Sequence, residues 1–124
     1  MKTKFIYLII LVSLSSLSSF AQKTVKSTLK VYGNCIMCKK RIETALDQNG
    51  IKVAAWDTKT KNLEVVYNSG KISEQEIHEL IAAVGHDTDK VKAKDEVYAT
   101  LPYCCLYRDH DHGDFKDEHP HNHE

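Results

Sequence analysis

The chain has 124 residues, with 17 Lys and Arg balanced by 17 Asp and Glu, 7 His and 4 Cys. Such a length holds one small domain. A charge balance of zero without an arginine-rich patch argues against a nucleic-acid binder.

The amino end reads as a leader. Met1-Lys2-Thr3-Lys4 is basic, Phe5 to Leu14 is apolar, and a serine-rich stretch ends in Ser19-Phe20-Ala21. Small residues at Ser19 and Ala21 mark a cleavage point before Gln22, so residues 1–21 are expected to be a signal peptide. The competing reading is an uncleaved anchor, but the apolar run is short for a membrane span. The remainder carries 15 basic against 17 acidic residues and keeps every Cys and His. The expected location is the periplasm or the exterior, an oxidising place where unprotected cysteines pair.

Val25 to Tyr32 alternates as a half-buried strand, with Val25, Leu29 and Val31 in one parity. Gly33-Asn34 breaks it and leads into Cys35-Ile36-Met37-Cys38. From Cys38 the apolar residues Ile42, Ala45 and Leu46 fall at helical spacing, and Asn49-Gly50 ends that helix. Both sulfurs therefore belong to a strand-to-helix loop. Unpaired N–H groups and the positive end of the helix dipole favour thiolate there, and Lys39, Lys40 and Arg41 add charge. Thiolate pairs serve either soft-metal binding or disulfide exchange.

Ile51 to Asp57 and Leu63 to Tyr67 read as a hairpin. In the first, Val53 and Ala55 alternate with Lys52, Ala54 and Trp56; in the second, Leu63, Val65 and Tyr67 share a face. Ser73-Glu74-Gln75-Glu76 is a capping box, followed by Ile77, Leu80, Ile81 and Val84 at helical spacing and a stop at Gly85. Asp87 to Ala93 is a weak fourth strand suited to an edge. This order, strand-helix-strand-strand-helix-strand, predicts an α+β ferredoxin-like βαββαβ sandwich, with a four-stranded antiparallel sheet and both helices on one face.

Residues 95–108 form an extension: a short helix over Glu96 to Leu101 stops at Pro102, and Cys104-Cys105 follows. That pair reads as a second sulfur site folded back toward Cys35 and Cys38, as a disulfide partner for one of them, or as ordinary buried cysteine. Residues 109–124 are His- and Asp-rich, with His110, His112, His119, His121 and His123, and cannot build a core. This tail is expected to be disordered without metal. It reads as an adaptable site for Zn, Ni or Cu(II), or as a solubilising tail.

The strand order, the placement of Cys35-x-x-Cys38, and Gly85-His86 in the later loop resemble the heavy-metal-associated domains. Copper chaperones, metal-transporting P-type ATPases and periplasmic mercury-binding proteins carry such domains. The resemblance spans Thr24 to Ala93, within a domain assigned to residues 22–94. It implies that Cys35 and Cys38 bind metal and that His86 lies near it as a ligand or a neighbour. Family members commonly read Gly-Met-x-Cys-x-x-Cys; here Gly33-Asn34 precedes Cys35, and the Met is missing. The loop is therefore expected to keep its ligands but to be less rigid, with Met37 at the surface. Leu101 to Cys105 is similar to a Leu-Pro-x-Cys-Cys ending in bacterial proteins related to mercury transport.

Two sulfurs suit Cu(I), the leading ion. Hg(II) is also satisfied by two, whereas Zn(II) calls for more ligands, from His86, a carboxylate or a second molecule; Cd(II) is a further candidate. The expected function is an exported, non-enzymatic metal carrier that buffers its ion or passes it to a metal transporter or another metal-binding protein. It would be a monomer or a metal-bridged dimer. Binding of mercury, zinc or cadmium for efflux or detoxification is the alternative. A thiol–disulfide oxidoreductase fits less well, because Asn34 stands where such enzymes place an aromatic residue and the strand order differs.

Overall fold

The computed structural model describes residues 23–109. The whole leader, the cleavage point before Gln22, and the tail histidines His110, His112, His119, His121 and His123 lie outside them. The elements are β1 (Thr24–Lys30), α1 (Ile36–Ala45), β2 (Ile51–Trp56), β3 (Asn62–Asn68), α2 (Glu74–Ala83) and α3 (Asp95–Tyr98), then a 3-10 turn over Tyr103–Cys105. No helix among the described residues is long and apolar enough to cross a membrane.

The sheet is antiparallel with β3 central, in the order β1-β3-β2. Leu29 of β1, Val31 just beyond it, and Leu63, Val65 and Tyr67 of β3 face the core in the parity the sequence predicts. Cys38, Ile42 and Leu46 of the α1 region and Ile77 and Ile81 of α2 cover that same face, closing one cluster. Each fully buried aliphatic side chain contributes about 1.5–3 kcal/mol. In β2 an irregularity between Ile51 and Val53 shifts the register. It turns Val53 outward and brings Trp56 into the core. The α2 start is the expected capping box, with Ser73 Oγ accepting from Glu76 N at 3.1 Å and Ser73 N donating to Glu76 Oε2 at 2.7 Å.

The four-stranded sheet needs correction: among the described residues three strands form, and the expected fourth contributes a single bridge, Val31 with Thr88. Side chains capture the backbone that a ladder would use. Thr88 Oγ1 accepts from Lys90 N and Val91 N, and Asp87 Oδ1 accepts from Ala93 N. Such local bonds compete with strand pairing. His78, buried on α2, pins Thr88 Oγ1 at 2.7 Å.

The extension joins the core. Tyr98, Leu101 and Cys105 belong to the same buried cluster as the sheet and helices. The helix is shorter and earlier than Glu96 to Leu101, ending at Tyr98. Tyr107 Oη donates to Gly85 O at 2.9 Å and accepts from Asp87 N at 2.7 Å. Arg108 forks onto Asp87 at 2.8 and 3.0 Å and reaches Asp95 at 2.9 Å and the Ala93 carbonyl at 2.8 Å. Its guanidinium lies over the Tyr98 ring, 4.3 Å from the centroid.

Candidate metal centre

Strand β1 and its bridge to Thr88 deliver the chain to Gly33, after which Cys35 caps α1 in an extended conformation. Its carbonyl accepts the first helical bond, from Lys39 N at 3.1 Å. Cys38 then lies one turn on, fully buried, and its Sγ accepts from Asn34 N at 3.4 Å. The two sulfurs stand 3.6 Å apart.

From the other side the 3-10 turn brings Cys105 Sγ to 3.8 Å from Cys35 Sγ. The sulfurs of Cys35, Cys38 and Cys105 lie within 4.8 Å of one another, the one such ligand group among the described residues. Cys105 and Cys38 are fully buried, while Cys35 is half-buried. All four cysteines are free thiols. Cys104 falls outside the group: its thiol faces Met37 Sδ at 3.4 Å, and it stands 4.0 Å from Cys105 Sγ.

Burial alone would raise the Cys35 pKa. The Cys38 N–H, the Cys104 thiol, the Met37 N–H and the Cys38 thiol outweigh it and bring the group from 9.0 to about 7. The basic run does not act as expected, since Lys39 turns away, bonding Glu43 and, at 2.7 Å, the Trp56 carbonyl. Burial, then the Cys38 and Cys35 thiols, push the Cys105 thiol up. Contact with the Cys35 thiol, and then burial, raise Cys104 as well. Cys35 is thus poised to ionise, while Cys105 is held neutral until a cation displaces its proton.

No family model and no curated protein matches the chain. Solved structures are. A CopZ metallochaperone is 26% identical with a TM-score of 0.50, matched over 98% of its length by 52% of this chain. A copper-binding domain from a P-type ATPase is 27% identical with a TM-score of 0.50, matched over 89% of its length by 52% of this chain. The N-terminal domain of a potential copper-translocating P-type ATPase from Bacillus subtilis, in its Cu(I)-loaded state, is 25% identical with a TM-score of 0.51. It is matched over 85% of its length by 53% of this chain.

The chain carries a heavy-metal-associated domain. In this heavy-metal-associated domain Gly33 stands two positions before the first cysteine, where the common motif has Met. The Trp56 ring fills the space: a Cβ on Gly33 would lie 3.1 Å from both the ring and Cys38 Cβ. Trp56 Nε1 donates to Val31 O at 3.0 Å, and its backbone N donates to Glu43 Oε1 of α1 at 3.0 Å. An indole thus backs the loop where a thioether is usual, a role the sequence reading did not give Trp56.

His86 is fully buried and lies outside the sulfur group of this domain. Its Nδ1–H donates to the Tyr32 carbonyl at 2.8 Å and its ring stacks on Tyr107, centroids 5.4 Å apart. Burial, countered in part by that bond, lowers its pKa, so the ring is neutral near pH 7. It ties the Cys loop to the Gly85 loop and the extension.

Proposed function

We propose that this protein is an exported carrier of a soft metal ion, Cu(I) foremost, which it binds through Cys35 and Cys38 and passes to a transporter or a second metal-binding protein. The observation that carries this reading is the pair of sulfurs 3.6 Å apart at the start of α1, one of them half-exposed. The copper proteins named above support Cu(I) over other ions. Thiolate softness supports the same choice, with Hg(II), Zn(II) and Cd(II) as competitors. Ile36 (68% exposed), Met37 and Tyr103 give the rim around the sulfurs an apolar surface that suits transient docking of a partner. The Met1 to Ala21 leader supports export, and the reading is of a binding protein, with no catalytic step.

The test is anaerobic titration of the reduced protein with Cu(I) against a competing chelator, for wild type and Cys35→Ser/Cys38→Ser. One tightly bound ion, lost in the double variant, is expected. Weak binding that ignores both substitutions would overturn the reading. Recovery of the protein outside the cytoplasm, beginning at Gln22, tests the export step.

A further inference from the structure

The carrier reading uses two sulfurs, but a third, Cys105 Sγ, lies within 4.8 Å of both. A metal–sulfur bond is about 2.3 Å, so a linear two-coordinate ion holds its sulfurs about 4.6 Å apart. A trigonal ion needs about 4.0 Å between sulfurs and a tetrahedral one about 3.8 Å, from the same bond length. Cys35 and Cys38 stand 3.6 Å apart and Cys35 and Cys105 stand 3.8 Å apart. Both separations fall short of the linear arrangement and close to the three-sulfur one.

Cys105 is also not brought there by its sulfur. Leu101 packs against Gly85, Tyr107 bonds the Gly85 carbonyl and the Asp87 amide, and Arg108 clamps Asp87. These contacts hold the 3-10 turn independently of any ion. The ordering of a third ligand is therefore already complete before metal arrives, which lowers the free-energy cost of using it.

We propose that Cys35, Cys38 and Cys105 form a three-thiolate site for thiophilic ions that accept three sulfurs, with Cys105 supplied in cis by the extension. The proposal rests on the soft-metal reading above and deepens it. With Cu(I), three thiols lose three protons and three Cu–S bonds form, without redox change. With trivalent arsenic, As(OH)3 and three thiols give As(SR)3 and three waters. A partner thiol entering a two-sulfur site finds an open position; here the chain's own sulfur occupies it. Transfer from this protein then requires displacement of Cys105, and the site favours retention over rapid passage.

The experiment uses the full reduced protein and two probes. Loaded with one Cu(I) in the presence of excess chelator, wild type is expected to show three sulfur neighbours by X-ray absorption. Cys105→Ala is expected to show two and to bind about 10- to 100-fold more weakly, the loss typical when even a supporting group of a metal ligand is removed. Two sulfurs in wild type, with tight binding retained, would overturn the proposal and leave the carrier reading standing. Arsenite is the second probe, because it takes up three thiols where three converge and does not depend on a buried variant folding. It should consume three thiols in wild type and all three that remain in Cys104→Ser. Consumption of two or none overturns the proposal. Failure of Cu(I) to compete with the chelator while arsenite consumes three thiols would sink the copper carrier and support the three-thiolate site.

Discussion

The Cys35 and Cys105 sulfurs stand 3.8 Å apart although 70 positions separate them in the chain. Their meeting depends on the clamp between Arg108 and Asp87. Arg108→Ala removes two bonds to Asp87, one to Asp95 and one to the Ala93 carbonyl. Hydrogen bonds to charged groups contribute about 1.5–3 kcal/mol each, less where solvent reaches them, so a net loss of about 2 kcal/mol is expected. Denaturant unfolding measures it, and limited proteolysis should cut residues 95–109 first. The same clamp has an acid limit. Burial pushes the Asp87 pKa up, but Arg108 and the Ala93 N–H hold it below its ordinary 3.8. Its stabilising contribution is therefore present above about pH 4 and is lost as pH falls through the lower folded value. Tyr107 ring resonances followed through acid titration should report undocking there, and Asp87→Asn should remove the acid transition.

Cys35 should be the first cysteine alkylated in the reduced, metal-free protein. Its thiol titrates at about 7 against an ordinary 9.0. The iodoacetamide rate, mapped by peptide mass, should rise through an inflection near pH 7. The thiolate's contribution to stability is complete above pH 9 and disappears as pH falls through about 7. Wild type should therefore gain stability over Cys35→Ser between those values. An inflection near 9 would show that the loop amides do not stabilise the thiolate.

Trp56 is the only tryptophan and touches Gly33 beside Cys38. Its fluorescence should change on Cu(I) binding. Trp56→Ala should cost about 3–5 kcal/mol through the cavity it opens. Trp56→Phe should cost about 1–3 kcal/mol, since the buried Val31 carbonyl loses its donor. If the indole backs the metal loop, Trp56→Phe also weakens Cu(I) in the chelator competition.

Gly85 has φ +97°, and a Cβ there would lie 3.0 Å from the Leu101 side chain. Gly85→Ala should cost about 1–3 kcal/mol by backbone strain, with further loss from crowding. Because Leu101 belongs to the extension, thermal unfolding and proteolysis at residues 95–109 should both register the change. A variant as stable as wild type would mean that the loop relaxes freely.

Local periodicity made much of this fold legible. Leu63, Val65 and Tyr67 alternate, Ser73 and Glu76 cap a helix, and Gly85 stops it, because each signal is read within a few residues. Cys35 and Cys38 were legible for the same reason: three positions on one helical turn. The fourth strand was not, since Asp87 and Thr88 look like ordinary strand-edge residues until their side chains take the backbone bonds. Nor was the inward turn of Trp56, which follows from the register shift after Ile51. Cys104 and Cys105 are adjacent and chemically alike. Which one reaches the site is decided by Arg108, Tyr107 and Leu101, through contacts that no local pattern encodes.

The docking of the last turn also sets an order in time. A growing chain contains Cys35, Cys38 and all three strands before residues 95–109 exist. Contacts across 70 positions close late, because the entropy of the loop must be overcome before they return any stabilisation. A molecule whose last turn has not yet docked offers Cys35 and Cys38 alone, an open two-sulfur form. A cation captured early would be gripped first and covered afterwards, so the moment of encounter decides how easily it is given up.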